Sequence, residues 1–189
     1  LLAQNGTDRL ALRAIQAGIT VYAAHTNLDA APEGVSHAYA KSLFPQEDFT
    51  KLEDIEDFPE AGFGVLTQLE SPLSSVALQE QCEKAWQFIP SELTGFKSPS
   101  HFGTKDNTMF QTVAFWGGSW DDTLLPVLLD KNVDLLFVGE TKWHVLIAAK
   151  EAGVTIVPTG HGQSESWILP KVKSFLQRNL KDSLPIEVK

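Results

Sequence analysis

Cysteine is nearly absent from this chain: Cys82 is the only one in 189 residues. An internal disulfide is therefore impossible, and no thiolate cluster is available for a sulfur-loving metal. Positive charge is also in short supply, with 15 Lys and Arg against 24 Asp and Glu. The resulting formal charge of -9 is the wrong sign for gripping phosphate backbones, which argues against nucleic acid as a partner. No apolar run approaches the roughly 20 residues needed to span a bilayer, so no membrane partner is expected. Internal repeats and low-complexity tracts are missing too. What is present, 43% hydrophobic and 21% charged residues, is the balance of an ordinary globular chain, read here as a soluble, cytoplasmic protein. A chain of this length can bury roughly 70% of its unfolded surface and needs no metal simply to fold. It opens Leu1-Leu2-Ala3 without an initiator methionine, and reads as a chain whose start, with any targeting signal or ligand residue there, lies upstream.

Local patterns alternate between the two periodicities. Asp8 to Gln16 reads as a helix stopped by Gly18, and Ile19 to Ala24 as a short buried strand. Gly34 to Leu43 suits a helix, and 47–60, with seven acids against the single base Lys51, a solvated connection. Gly62 to Leu69 reads as a strand, Ser71 to Phe88 as a helix, and Phe96 to Asn107 as an exposed loop. Gln111 to Trp116 is strand-like and stops at Gly117-Gly118-Ser119. Then come a helix (Asp121 to Lys131), a strand (Val133 to Val138), a helix (Thr141 to Ala152), a strand (Val154 to Val157) and a last helix (Ser164 to Leu180) interrupted near Pro170. Ile186 to Val188 could add an edge strand. Strands alternating with helices predict an α/β fold, a parallel or mixed sheet covered by helices.

Ligands of open α/β sheets bind beyond the carboxyl ends of the strands, and those positions are unusually polar here. His25, Asn27 and Asp29 follow one predicted strand; Gly117-Gly118-Ser119 another; Glu140 and His144 a third; His161 and Glu165 the last. His161 and Glu165 are four apart, so on a helical turn both could reach one cation, with Asp29 as a third donor. An imidazole with two carboxylates suits Zn, Mn or Fe. The same spacing also describes a plain surface pair, and Asp29 an ordinary turn residue before Pro32-Glu33-Gly34. His144 and His25 could move protons or simply satisfy local backbone. Gly117, Gly118 and Ser119 could present N–H groups to a substrate anion, or form a tight turn. Trp116, Trp120, Trp143 and Trp167 stand close by, as stacking platforms or as core and subunit-contact aromatics.

Val21-Tyr22-Ala23-Ala24-His25-Thr26-Asn27-Leu28-Asp29-Ala30-Ala31-Pro32-Glu33-Gly34-Val35 resembles the signature of the NIF-three-like (Ngg-interacting factor) family, often labelled GTP cyclohydrolase 1 type 2 homologues. Gly62-Phe63-Gly64, Val113 to Ser119, Val138 to His144 and Gly160-His161-Gly162-Gln163-Ser164-Glu165 follow in the family's order. The resemblance implies a two-lobed α/β protein holding two divalent metals per subunit and assembled as a hexamer. Its aspartate, histidine and glutamate ligands map to Asp29, His161 and Glu165; a His-His-Pro strand that supplies the others lies upstream of Leu1. The implied division is 1–60 as part of the metal-site lobe, 61–110 as a smaller lobe, and 111–189 as the part completing the metal site. The GGSW at 117–120 and Gly162 depart from the family's usual residues. The expected function is metal-dependent hydrolysis of a small, nucleotide-like substrate, with His144 and His25 as catalytic groups. The alternative is a non-catalytic metal carrier or regulatory interaction protein.

Overall fold

The computed structural model describes residues 6–88 and 108–180. The expected loop at 96–107 and the expected strand at 186–188 lie outside that span. Among the described residues eight α-helices, α1 (Gly6–Gln16), α2 (Thr26–Asp29), α3 (Val35–Leu43), α4 (Ser75–Trp86), α5 (Leu125–Asp130), α6 (Trp143–Glu151), α7 (His161–Ser166) and α8 (Leu169–Leu180), accompany one sheet. Its strands run in the order β1 (Thr50–Asp54), β2 (Gly62–Ser74), β3 (Met109–Trp120), β4 (Leu135–Thr141) and β5 (Thr155–Pro158). β1, β2 and β3 pair antiparallel, whereas β3, β4 and β5 pair parallel. The fold is mixed α/β, and this one sheet takes strands from all three of the stretches separated in the sequence.

Alternation along β3 and β4 builds two cores. Val113, Phe115, Leu135 and Phe137 face α3 and α4, where Tyr39, Leu43, Leu78, Cys82 and Trp86 join them. Phe115 and Phe137 stack at 5.0 Å, and Tyr39 meets Phe115 edge-on at 5.2 Å. Ala114, Leu136 and Val138 face the opposite way, onto Leu128 of α5 and Val145 and Ala149 of α6. Strands buried on both faces read as continuous apolar runs, which is why β4 was legible as one. Each fully buried large side chain contributes roughly 1.5–3 kcal/mol of transfer free energy.

Several elements differ from the sequence-based expectations. Ile19 to Ala24 forms no strand: Ile19, Val21 and Tyr22 are 61%, 78% and 78% exposed, with no described strand alongside to complete a ladder. The acidic stretch is not wholly connection, because Lys51-Leu52-Glu53 alternates about a buried Leu52 and makes β1 the sheet edge. β2 runs on past Leu69 through an irregularity between Gln68 and Leu73. Helix α4 consequently starts only at Ser75, where the Ser74 hydroxyl accepts from the Ala77 N–H at 3.2 Å. Gly117-Gly118-Ser119 is not a turn after β3 but part of it, at a break in register with β4 between Trp116 and Ser119. The final helix is two, α7 and α8, with Pro170 in the first turn of the second, where its missing N–H costs nothing. Among the described residues no helix is long and apolar enough to cross a membrane.

Candidate metal and active site

β5 delivers the chain to Gly160, whose φ of +104 turns it directly into α7. That φ strains any side chain, and a Cβ there would also stand 2.2 Å from Gln163 Oε1 and push the Gln163 side chain aside, so the turn favours glycine. The turn puts His161 and Glu165 on one face of α7, with His161 Nε2 3.0 Å from Glu165 Oε1. On the other side of the ring, Nδ1 lies 3.0 Å from Glu140 Oε1 at the end of β4. The imidazole is thus held between two carboxylates. Its pKa is pushed up, first by the hydrogen bond to Glu140; burial opposes this, and the charges of Glu165 and Glu140 add to the rise.

The break in β3 brings the backbone up against this pair. A Cβ on Gly118 would stand 3.0 Å from Glu165 Oε1 and 3.6 Å from His161 Nε2, and its φ of +75 is one side chains rarely adopt. The Gly118 N–H donates to Ser164 Oγ at 3.0 Å, and that hydroxyl donates to His161 O at 2.7 Å. Next door the Gly117 N–H donates to Ser36 Oγ on α3 at 3.1 Å. Both N–H groups are therefore spent on serine hydroxyls, not held out toward a substrate anion. The Ser119 carbonyl accepts from Trp116 Nε1 at 3.1 Å.

Asp29 closes α2 on the same side. Its carboxyl pKa is raised, first by burial and then by the charge of Glu165, while His25 and His161 pull it down. Asp29, His25, His161 and Glu165 thus form one electrostatic neighbourhood. His25 itself is exposed, its N–H bonded to Asn27 Oδ1 at 3.0 Å and its ring Nδ1 3.1 Å from Thr26 Oγ1. His144 stands exposed on the first turn of α6, and the charges acting on Asp29 and His161 do not include it.

An imidazole, two carboxylates and space kept clear by a glycine suit a divalent ion in kind. In geometry the arrangement is partial. Among the described residues no three His, Cys, Asp or Glu side chains come close enough together to hold a metal ion. Sequence reasoning singled out His161, Glu165 and Asp29 but gave Glu140 no partner. Its contact with His161 spans 21 residues and depends on β4 and β5 lying parallel.

Fold and site together define a mixed α/β protein with a carboxylate–imidazole cluster at the strand ends. The chain belongs to the Duf34/NIF3 (NGG1p interacting factor 3) family, whose sequence pattern matches residues 2–189. It is 26% identical over 179 residues to NGG1-interacting factor 3 of Saccharomyces cerevisiae, covering 92% of this chain and 60% of that protein. It is 28% identical over 181 residues to the GTP cyclohydrolase 1 type 2 homolog of Lactococcus lactis, covering 93% and 64%. Each alignment thus covers less than two thirds of the relative's length. Among solved structures, a Staphylococcus aureus hypothetical protein superposes with a TM-score of 0.73 at 17% identity, covering 100% of this chain and 75% of that one. A Bacillus cereus protein related to NIF3 gives 0.72 at 14% identity, covering 99% and 77%. These likenesses establish the fold.

Proposed function

We propose that His161, Glu165 and Asp29 form part of a divalent-metal site, for Zn, Mn or Fe, in a hydrolase acting on a small, nucleotide-like molecule. The observation that carries this reading is the pairing of His161 Nε2 with Glu165 Oε1 at 3.0 Å, packed against Gly118 where no side chain intrudes on them. A divalent ion held there would supply Lewis acidity. Glu140 would orient His161 through Nδ1, leaving Nε2 to face the ion. Asp29 and Glu165 would place two negative charges around it; without a cation, burial and then the charge of Glu165 raise the cost of ionising Asp29. The side chains of His161 and Glu165 are 47% and 42% exposed, as a site open to an incoming ligand needs and a closed carrier site does not. His25, whose charge acts on Asp29, and His144, at the start of α6, are the candidates for proton transfer.

Four relatives carry the name GTP cyclohydrolase 1 type 2 homolog, which supports a nucleotide-like substrate as part of this proposal. Self-association, as far as a hexamer, belongs to it as well. Leu10, Ile15, Val21 and Tyr22 present an apolar surface, each at least 66% exposed. Calorimetric titration of the chain with Zn2+ or Mn2+ tests the central claim. One weak site is expected, since part of the ligand set is unassembled, and His161→Ala and Glu165→Ala should each abolish it. Undiminished binding by both variants would overturn the assignment. Sedimentation as a monomer at all concentrations would remove the assembly.

A further inference from the structure

A cleft of about 430 Å³, with Asp29 in its wall, opens between the α2–α3 turn and the β1–β2 hairpin. Asp29, Ser36, His37, Phe49, Glu60 and Val65 are among its walls. Its size is that of a small-molecule pocket. What matters is which of its polar groups are already engaged. Lys51 Nζ is committed to Asp54 Oδ1 at 2.7 Å and the Pro59 carbonyl at 2.6 Å. Glu33, held at a left-handed φ of +53, is tied to Lys171 of α8, and Ser36 Oγ to the Gly117 N–H.

Two groups are left over. His37 is half-buried, its ring edge-on to Phe49 at a centroid distance of 5.8 Å, and neither ring nitrogen has a hydrogen-bond partner among the described residues. Glu60 likewise has no partner among the described residues. Burial holds the His37 pKa below its ordinary value, with Lys171 and Lys41 acting in the same direction and Glu33 against them. Its ring is therefore an uncharged donor and acceptor at neutral pH. With Glu33 offset by Lys171, the Asp29 and Glu60 carboxyls disfavour anions, while Phe49 and Val65 offer apolar surface to a flat ring.

We propose that this cleft is a binding pocket for a small, uncharged nitrogen heterocycle, with His37 as the residue that reads the ring. Such a ligand brings an amino or ring N–H donor for Glu60, a ring nitrogen for the imidazole, and apolar faces for Phe49 and Val65. The pocket deepens the reading of the neighbouring site, through the shared Asp29, by giving the organic part of a substrate its place. It rests on that reading for the reaction, but its occupancy needs no metal, so the two claims can fail separately.

The test is a chemical-shift titration of the metal-free 189-residue chain at pH 7.5 with 2-aminopyrimidine, and with benzoate and inorganic phosphate as anionic comparisons. Saturable binding of 2-aminopyrimidine alone is expected, with the shifts centred on His37, Phe49 and Thr50. His37→Phe keeps the edge contact with Phe49 but removes both ring nitrogens, and should weaken binding at least tenfold. His37→Gln, which restores a donor and an acceptor, should lose less than His37→Phe. The proposal is overturned if 2-aminopyrimidine does not saturate, if its shifts map elsewhere, if an anion binds as tightly, or if a folded His37→Phe binds like the parent. Should His37→Phe not fold, the shift map of the parent decides alone. Heterocycle binding without any metal uptake would sink only the metal reading, and metal uptake at His161 without heterocycle binding only the cleft.

Discussion

Replacing Gly118 by alanine separates what the site demands of the backbone from what it demands of space. The left-handed φ of +75 costs an alanine about 1–2 kcal/mol. For a chain of this size that is about 2–8 °C in melting temperature. Gly153, just past the end of α6, has a φ of +85 and nothing within 4 Å of its would-be Cβ, so Gly153→Ala bears the same backbone cost with no contact. The two variants differ at the site alone. At Gly118 the new methyl group would sit 3.0 Å from Glu165 Oε1, closer than ordinary contact, and the carboxylate has to give by a few tenths of an ångström beside His161. The half-exposed ion pair disturbed in the process is worth at most about 0.2–1 kcal/mol, so melting should hardly distinguish the variants. Metal affinity should. Disturbing even a ligand's supporting contacts typically costs 10- to 100-fold, so Gly118→Ala should bind Zn2+ at least about tenfold more weakly than Gly153→Ala. Calorimetry and thermal unfolding of the two proteins side by side give both numbers. Equal Zn2+ affinities would refute the argument, as would a Gly118→Ala protein that melts above the parent.

Other expectations follow from the titrating groups. Because the folded state raises the pKa of Asp29, its ionisation disfavours the metal-free fold: its contribution is most favourable below the unfolded carboxyl pKa and falls as pH rises through the folded value. Asp29→Asn should therefore melt about 1–2 °C higher than the parent at pH 7, with the gain fading near pH 3; an equal or lower melting temperature at pH 7 contradicts this. His161 is raised as well, so its stabilisation is complete below the unfolded histidine pKa and is lost as pH climbs through the folded one. Urea midpoints at pH 6 and pH 8.5 should show a drop of under about 1 kcal/mol from this source, absent in His161→Ala, and an identical drop in both proteins would exclude the pairing. Cys82 is fully buried and its thiol pushed up to about 12 by burial, so alkylation should track global unfolding; rapid labelling of the native chain would contradict its place in the core.

How far the sequence reveals this molecule depends on the reach of each interaction. His161 and Glu165 are four residues apart, and one turn of helix suffices to join them, so spacing exposed the pair. Glu140 and His161 meet only once β4 and β5 lie parallel, a relation no local pattern encodes. His37 drew no notice because its neighbours Ser36 and Ala38 carry no chemistry; its significance comes from Phe49 and the cleft. The apolar alternation at 19–24 records a preference for strand, but a strand is a property of two segments, and propensity cannot name the second. The opposite error at 47–60 has a related cause. Five residues of edge strand with only Leu52 turned inward leave a charge-rich signature scarcely different from a loop.

The two serine hydroxyls that receive the Gly117 and Gly118 N–H groups come from α3 and α7, helices more than 110 residues apart in the chain. Exposing either amide to solvent means parting β3 from a helix packed on it, not fraying a loop. In hydrogen exchange these glycine amides should keep pace with the slow amides at the centre of the sheet, although glycines in irregular backbone are ordinarily among the quickest to exchange. The floor of the candidate site would then belong to the most persistent cooperative unit of the protein, leaving ligand-dependent motion to the outer elements, α2 and the exposed stretch before it.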